Sequence, residues 1–228
     1  MRHLAIILDG NRRWAKAQGL PAFEGHRRGY DQVKEIGLAA LERGIEHLTV
    51  FAFSTENWKR SQEEVGYLMD LLLKALTNDL AFYMEHRVRL RVIGRRVGLS
   101  DKIQKAIRVA EEKTAANTAG QINLCINYGG RAELVDAVKE IIAEGKSPDQ
   151  ITEELISEKI WMQGIPDPDL IIRTSGEQRT SGFLTWSGTY SEILFVKKTW
   201  PDFSVADLDA ALADYNSRDR RFGGNSAS

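Results

Sequence analysis

The sequence predicts an α/β fold, a single domain with a mostly parallel six-stranded sheet flanked by helices. Three observations lead to this class. Six short apolar runs alternate with helical patterns along the 228 residues, which is the order of a parallel sheet with helical crossovers. The runs are apolar almost throughout, as expected of strands covered on both faces. Several of them end in polar segments that contain glycine, where the ligand-binding loops of parallel sheets lie.

The first strand and its exit, residues 4–14, form the centre of the predicted site. The apolar run stops at the turn signal DGN, residues 9–11, and a helix pattern begins at Arg12. A strand, a tight turn and a helix N-terminus form an anion site, to which Arg12 and Arg13 add cations suited to phosphate. Asp9 has two interpretations: it caps the helix, or it holds a divalent cation that bridges it to a phosphate.

Two further loops carry side chains whose interpretation stays open at this point. The predicted loop 21–29 contains His26, which is either a surface histidine or a donor at the neighbouring phosphate site. The second strand, residues 47–53, ends in the polar segment 54–60. Its Trp58 either folds back onto the core or covers an apolar ligand.

The longest helical pattern covers residues 63–87. Apolar side chains recur there at three- and four-residue steps, at Val65, Leu68, Met69, Leu72, Leu73, Leu76 and Leu80. This face either packs into the core or forms the wall of an elongated apolar cavity.

The other elements follow from the same signals, with capping residues at helix starts and glycine at helix ends. The strands are predicted at 4–8, 47–53, 89–94, 121–128, 169–174 and 192–198. The helices are predicted at 12–17, 30–43, 63–87, 100–117, 131–144, 152–160 and 204–222.

A second basic pair, Arg173 and Arg179, follows the fifth strand, far in sequence from Arg12 and Arg13. Two basic clusters on strand exits predict two phosphate-bearing ligands in one crevice. No Walker A loop, GxGxxG, GxSxG or zinc-ligand spacing occurs, which argues against ATP, NAD, serine hydrolase and zinc chemistry. Diphosphate chemistry remains, in which a cation and arginines neutralise a diphosphate.

Composition limits the partners and the compartment. The net charge of −1 lacks the electrostatic footprint of a nucleic-acid binder. The single cysteine, Cys125, lies in an apolar run and predicts a buried structural thiol in a reducing compartment. Neither a signal peptide nor a transmembrane run is recognisable, so a cytoplasmic protein is expected. Peripheral contact with a membrane surface is compatible with this expectation.

Seven motifs, in order along nearly the whole chain, carry a family resemblance. They are DGNRRWA at 9–15, GH at 25–26, FAFSTENWKR at 51–60, NYGGR at 127–131, IRTSGEQR at 172–179, WPDF at 200–203 and RDRRFGG at 218–224. Together they resemble the cis-prenyltransferases and are most similar to the bacterial undecaprenyl diphosphate synthases. The resemblance implies a homodimer that condenses isopentenyl diphosphate with an allylic diphosphate, usually farnesyl diphosphate, using Mg²⁺. The growing cis-polyprenyl chain would occupy an apolar tunnel.

The resemblance also assigns roles, residue by residue. Asp9 would be the catalytic carboxylate and hold Mg²⁺, with help from Glu192. The allylic diphosphate would be bound by Gly10, Asn11, Arg12, Arg13 and His26, with Trp14 beside it. A mobile substrate-positioning loop would comprise Ser54, Thr55, Glu56, Asn57, Trp58 and Arg60. Isopentenyl diphosphate would be bound by Arg173, Arg179, Thr180 and Ser181.

Asn57 is the family's candidate proton acceptor. Because an amide is a poor base, a proton relay through Asn57 to a diphosphate oxygen is favoured. The basic C-terminal stretch would reach the partner subunit's site. The predicted domain covers residues 1–224, and the tail 225–228 is predicted to be disordered.

Several positions depart from the family pattern. Ala22 stands where an arginine is usual, and Gly182 and Ser187 replace two amides beside the second basic pair. These departures bear on affinity, acceptor choice and regiochemistry. They leave as alternatives a short-chain or branched-product enzyme of the same family and a non-catalytic scaffold subunit. Ala52, a small residue at a tunnel position, favours a longer product.

Overall fold

The computed structural model describes residues 1–219, which form six strands and eight α-helices. The predicted tail and the basic stretch from residue 220 onward lie outside the described residues. The strands are β1 (His3–Ile7), β2 (His47–Ser54), β3 (Val88–Ile93), β4 (Gly120–Tyr128), β5 (Leu170–Arg173) and β6 (Glu192–Phe195). The helices are α1 (Asn11–Ala17), α2 (Ala22–Glu42), α3 (Gln62–Leu76), α4 (Leu80–Glu85), α5 (Asp101–Thr114), α6 (Gly130–Ala143), α7 (Glu153–Lys159) and α8 (Val205–Ser217).

The six strands form one parallel sheet in the order β3-β4-β2-β1-β5-β6, which confirms the predicted fold class. Strand β1 lies between β2 and β5, with Leu4 opposite both Leu48 and Leu170. Because parallel strands end at the same edge of a sheet, the polar exits of β1, β2 and β5 are neighbours in space. This edge is where the charged residues of both basic clusters converge.

Helices cover both faces of the sheet, and alternate residues of the inner strands β1, β4 and β5 enter different cores. Leu4 and Ile6 of β1 belong to a large core that includes residues of α2, α3, α4, α5 and α8. Ala5 and Ile7 belong to a smaller core with residues of α6 and of the segments around Met162 and Phe183. Burial on both faces explains why β1, β2, β4 and β5 are mostly apolar. The expectation that every strand is covered on both faces is wrong for the two edge strands, because β6 has no buried residue and β3 exposes Arg89. Among residues 1–219, no helix combines the length and the hydropathy that a bilayer span needs.

The predicted loop 21–29 is wrong, because α2 begins at Ala22, directly after Pro21. Gly25 and Gly29, which indicated a loop, lie inside the helix and form a notch that α1 enters. A Cβ on Gly25 would lie 2.0 Å from the carbonyl oxygen of Asn11, and one on Gly29 would lie 2.4 Å from Oδ1 of Asn11. We call this pair the Gly25–Gly29 notch. It holds the turn after β1 against α2.

The predicted helix 63–87 is two helices, because the chain breaks between Leu76 and Leu80. The break has the sequence Thr-Asn-Asp, three residues that favour helix ends over helix interiors. Asp79 turns away from the start of α4 and accepts hydrogen bonds from Tyr30 and Lys34 of α2. Helix α8 also ends earlier than predicted, at Ser217 instead of 222.

A buried row of polar side chains crosses three strands on the face of the smaller core. The Nδ1–H of His3 donates to the carbonyl of Pro166 (2.6 Å), and its Nε2 accepts from the hydroxyl of Thr49 (2.7 Å). Asn123 donates to that hydroxyl (2.9 Å), and Gln121 donates to Asn123 (2.7 Å). Because the Pro166 carbonyl can only accept, Nδ1 of His3 carries a hydrogen, and because burial favours the neutral ring, Nε2 accepts from Thr49.

We expect this row to make folding stability sensitive to acid. Burial lowers the pKa of His3 to about 4 from its ordinary 6.5, although the Pro166 hydrogen bond opposes the shift. Between these values the unfolded chain binds a proton and the folded chain does not, so stability falls as the pH falls from neutral towards 4. The expected loss from His3 between about pH 7 and about pH 5 is on the order of 2 kcal/mol.

Urea unfolding at the two pH values, compared between the wild type and His3→Gln, measures this contribution. The variant is expected to be less stable at neutral pH but to lose less stability on acidification. An equal loss in both proteins would contradict the assignment.

Candidate active site

A cavity of about 980 Å³ opens at the carboxyl edge of the sheet, between β1, β2 and the helices α1, α2 and α3. This volume is at the upper end of the range of about 300–1,000 Å³ that is typical of small-molecule sites. The inner lining is apolar and includes Val33, Val50, Leu68, Leu72 and Ala75, so α3 contributes to a cavity wall as well as to the core. The mouth is lined by charged residues from the strand exits.

The turn after β1 is shaped for close contact with a ligand. Gly10 adopts a φ of 105°, and a Cβ there would lie 2.8 Å from Oγ of Ser175. The backbone of Asp9, the residue before Gly10, is held by the hydroxyl of Thr174, which accepts from the Asp9 N–H (3.0 Å) and donates to the Asp9 carbonyl (2.7 Å). Gly10 is the N-cap residue of α1 and no side chain caps the helix. The interpretation of Asp9 as a helix cap is therefore wrong.

The Asp9 carboxylate points to the cavity and is held by two arginines. Nη2 of Arg173 donates to Oδ2 of Asp9 (2.9 Å), and Nη2 of Arg13 lies 3.2 Å from Oδ1. Partial burial pushes the pKa of Asp9 upward, but the hydrogen bond and charge of Arg173, together with Arg13, outweigh it and lower the pKa. Asp9 is therefore ionised at neutral pH.

The two basic clusters are joined through carboxylates into one chain of alternating charge. Arg13 also contacts Glu177 (3.4 Å), and Glu177 accepts from Arg179 (2.6 Å). Arg173, whose side chain is only 5% exposed, donates to Oγ of Ser181 (2.8 Å) as well as to Asp9. Its Nε is buried and has no hydrogen-bond partner among residues 1–219. The two basic clusters, distant in sequence, therefore line one crevice, and its occupation by two phosphate-bearing ligands stays a prediction.

His26 is buried, not a surface histidine, and lies in a second charged group at the mouth. Its Nε2 is 3.0 Å from Oε1 of Glu64, which also accepts from Nη1 of Arg60 (3.0 Å). Arg12 lies 3.9 Å from the same carboxylate. Burial is the main reason that the pKa of His26 is lowered, and Glu64 opposes the shift.

Sequence reasoning missed Glu64, because a glutamate three residues after Ser61 is explained by a helix start. Ser61 does cap α3 by accepting from the backbone N–H of Glu64 (3.2 Å). The side chain of Glu64 instead links His26, Arg60 and Arg12. The available signal was the spacing of Arg60 and Glu64, which is that of an i,i+4 ion pair.

The loop after β2 contributes some of its predicted residues and not others. Ser54, Asn57 and Arg60 line the cavity. Oδ1 of Asn57 accepts from the backbone N–H of Ser54 (3.0 Å), which leaves the amide NH₂ for other contacts. Trp58 packs against Phe53, with ring centroids 5.0 Å apart, and donates to Asn127 (2.8 Å). Its indole is therefore folded back towards the body of the chain.

The other predicted residues fall into two groups. Those that line the cavity are Asp9, Gly10, Asn11, Arg12, Arg13, His26, Arg173, Arg179 and Ser181. Among the described residues, the lining does not include Trp14, Thr55, Glu56, Trp58, Thr180 or Glu192. The indole of Trp14 donates to Asp202 (2.7 Å), outside the cavity.

One chain does not bring the two predicted metal ligands together. Glu192 begins β6 level with Leu170 of β5 and Leu4 of β1, whereas Asp9 follows the far end of β1. The separation along the strands is five residues, roughly 16 Å at about 3.3 Å per residue. Glu192 accepts from Arg218 instead (2.7 Å). Residues 1–219 contain no group of three or more His, Cys, Asp or Glu side chains arranged to hold a metal ion.

Comparisons with known proteins identify the family. The family described as "Putative undecaprenyl diphosphate synthase" matches residues 7–223. The isoprenyl transferase of Chromobacterium violaceum is 49% identical over 97% of this chain and 88% of its own length. The isoprenyl transferase of Thermotoga maritima is 46% identical over 98% of this chain and 97% of its own length.

Two solved structures share the fold. The lavandulyl diphosphate synthase of Lavandula x intermedia, in complex with dimethylallyl diphosphate, superposes with a TM-score of 0.94 at 38% identity, over 97% of this chain and 98% of that chain. A probable undecaprenyl diphosphate synthase from Campylobacter jejuni superposes with a TM-score of 0.83 at 32% identity, over 98% of both chains. The chain belongs to the undecaprenyl diphosphate synthase family and is a prenyl transferase.

Proposed function

We propose that this prenyl transferase condenses isopentenyl diphosphate with an allylic diphosphate, farnesyl diphosphate in the first instance, to give a cis-polyprenyl diphosphate such as undecaprenyl diphosphate. The observation that carries the proposal is a single cavity with an arginine-rich mouth and an apolar interior. The positive charge of the mouth is complementary to diphosphates, and the apolar interior is complementary to prenyl chains. The retained charged residues of the mouth, Asp9, Arg13 and Arg173 among them, argue against a non-catalytic scaffold subunit.

The mouth offers two anion subsites. Arg12 and Arg13, on the exit of β1, would bind the allylic diphosphate, and Arg173 and Arg179, on the exit of β5, would bind isopentenyl diphosphate. Breaking the allylic C–O bond builds negative charge on the leaving diphosphate. Fixed cations aimed at that charge stabilise the transition state more than the ground state.

Asp9 fits a Mg²⁺ ion whose coordination is completed by substrate. Mg²⁺ is usually bound by one or two carboxylates together with phosphate oxygens, and Asp9 is a single, ionised and partly exposed carboxylate at the mouth. When bound, the ion would supply further charge neutralisation on the diphosphate. Glu192 lies on the edge strand β6 at the opposite end of the sheet, so its part in metal binding would require a second copy of the chain.

Asn57 is better suited to position the isopentenyl diphosphate than to remove a proton. Its Oδ1 already accepts from Ser54, so the amide can present N–H donors to a phosphate oxygen. We propose that a diphosphate oxygen held in this way receives the proton that is lost when the new double bond forms. The bond-making steps need a dry environment, which the apolar inner lining would provide.

The setting of the reaction follows from the same assignment. The enzyme would act as a cytoplasmic homodimer, the growing prenyl chain would extend along the apolar lining as a tunnel, and peripheral contact with a membrane would assist release of the product. Ala52 lines the cavity and leaves room for a long chain.

A short-chain or branched condensation is the second candidate. It is favoured by the closer superposition on the lavandulyl diphosphate synthase, with a TM-score of 0.94 against 0.83 for the Campylobacter structure. Gly182 and Ser187 lie in the segment that follows the second basic pair, where a change would affect how the isopentenyl group is presented.

Product analysis decides between the two candidates. Purified protein is incubated with labelled isopentenyl diphosphate, Mg²⁺ and either farnesyl or dimethylallyl diphosphate, with Asp9→Ala as the control. The products are dephosphorylated and sized. A ladder that ends at undecaprenyl, requires Mg²⁺ and is absent from the control is the expected result. One short or branched product would establish the second candidate, and no incorporation from either starter would reject both.

A further inference from the structure

Glu177 lies between the two anion subsites and contacts one arginine of each. Its Oε1 is 3.4 Å from Nη1 of Arg13, and its Oε2 is 2.6 Å from Nη1 of Arg179. Arg13 belongs to the subsite after β1, and Arg179 belongs to the subsite after β5. Among the described residues that line the cavity, Glu177 is the carboxylate that bridges these two subsites on the exposed side, whereas Asp9 bridges them on the buried side.

A carboxylate oxygen and a phosphate oxygen compete for the same guanidinium N–H groups. A diphosphate at either subsite would therefore replace Glu177 at one arginine and repel it from the other. Glu177 can leave easily, because its side chain is 38% exposed and follows Gly176, whose φ is 78°. Arg13 would stay in place without it, since Arg13 also donates to the carbonyl of Ser175 (3.1 Å) and contacts Asp9.

We propose that Glu177 couples the two subsites, by masking one arginine of each until the first diphosphate displaces it. The identities of the two ligands rest on the proposed function. The first ligand to bind bears the free-energy cost of displacing Glu177, and the second ligand finds its arginine already free. By linkage, the effect is reciprocal and does not depend on which ligand binds first.

The proposal predicts a specific pattern for Glu177→Gln. Ion pairs between exposed side chains are weak, so each ligand alone is expected to bind the variant about two- to fivefold more tightly than the wild type. When both ligands bind, Glu177 is displaced only once, so the overall affinity of the variant for the pair rises by a single factor of about two to five. The coupling factor, which is the affinity for one ligand in the presence of the other divided by its affinity alone, therefore falls by the same two- to fivefold. Repulsion between the two diphosphates is common to both proteins and cancels in this comparison.

Calorimetric titration measures all of these affinities. The ligands are isopentenyl diphosphate and a thio analogue of farnesyl diphosphate, whose bridging sulfur resists ionisation, in low-salt buffer with a chelator so that no metal ion contributes. Glu63→Gln is the matched control, because Glu63 is an exposed acid in the first turn of α3 that does not line the cavity. The control removes the same charge and is expected to leave the coupling factor unchanged. Glu177→Asp, which keeps the charge, is expected to retain more of the coupling than Glu177→Gln.

The outcomes separate this proposal from the proposed function. Single-ligand affinities of Glu177→Gln that are unchanged or weaker would overturn the coupling role, and so would tighter binding with an unchanged coupling factor. If the wild type binds no isopentenyl diphosphate with or without the farnesyl analogue, and also binds none when Mg²⁺ replaces the chelator, the proposed function fails. Inorganic diphosphate then tests Glu177 alone: two- to fivefold tighter binding to the variant supports the masking, and equal binding rejects it.

Discussion

Replacing Asp9 by asparagine is expected to lower kcat/KM by about 10²–10³-fold while the chain remains folded, as is typical when one fixed charge is removed from an active site. The amide has the shape of the carboxylate but cannot neutralise Arg13 and Arg173 or hold Mg²⁺. The side chain of Arg173 is only 5% exposed, so loss of its anionic partner is also expected to lower the free energy of unfolding by about 1–3 kcal/mol. Steady-state kinetics and urea unfolding on the same preparation measure the two effects.

Asp202→Asn is the matched control for this substitution. Asp202 lies outside the cavity, where it accepts hydrogen bonds from Trp14 and Thr199. The control makes the same change from carboxylate to amide near the same edge and is expected to keep activity within a few-fold. An Asp9→Asn enzyme with near wild-type kcat/KM would reject the catalytic role of Asp9.

Gly25→Ala is expected to have the second large effect, because it fills the Gly25–Gly29 notch. The new Cβ would lie 2.0 Å from the carbonyl oxygen of Asn11, a backbone atom that can move only if the turn after β1 moves with it. We expect a loss of about 1–3 kcal/mol in the free energy of unfolding, as in overpacked cores. We also expect weaker binding of inorganic diphosphate, since the displaced segment includes Gly10 and the start of α1 with Arg13.

Gly66→Ala provides the comparison, since Gly66 lies inside α3 and a Cβ added there would meet no described heavy atom within 4 Å beyond its chain neighbours and its own helix backbone. Alanine there is expected to stabilise the chain by about 0.4–1 kcal/mol and leave diphosphate affinity unchanged. Thermal unfolding and calorimetry of the two variants give both quantities. Unchanged diphosphate binding in Gly25→Ala would show that the notch does not position the turn.

The inner strands β1, β4 and β5 were predictable because they are buried on both faces and therefore read as apolar runs. The start of α2 was not predictable, because Gly25 and Gly29 are typical of a loop, whereas in the structure they let α1 pack closely against α2. The break between α3 and α4 was missed for a related reason. The apolar spacing continues across it and outweighed the helix-ending residues Thr-Asn-Asp at 77–79, and the tertiary contacts of Asp79 with Tyr30 and Lys34 hold the break there.

The location of the site was predictable in the same way, since the exits of neighbouring parallel strands meet at one edge. The direction in which individual side chains point was not predictable. Trp14 and Trp58 follow the expected strands, yet each indole donates to a partner outside the cavity, Asp202 and Asn127 respectively. The role of Glu64 was missed because its position after Ser61 is typical of a helix start. Such choices depend on partners that are distant in sequence and that a local pattern does not contain.

The polar row of His3, Thr49, Asn123 and Gln121 has a consequence for the opposite end of the sheet. Two of its hydrogen bonds, Thr49 to His3 and Asn123 to Thr49, join neighbouring strands and fit only one pairing of β1, β2 and β4. A slip of one strand by one residue would turn that strand's members to the other face. The row therefore fixes the register of β1 against β2, and this register sets how far the exits of the two strands project at the carboxyl edge. Substitutions at Thr49 would then reduce activity without any contact with substrate, and such a loss would report on strand alignment instead of chemistry.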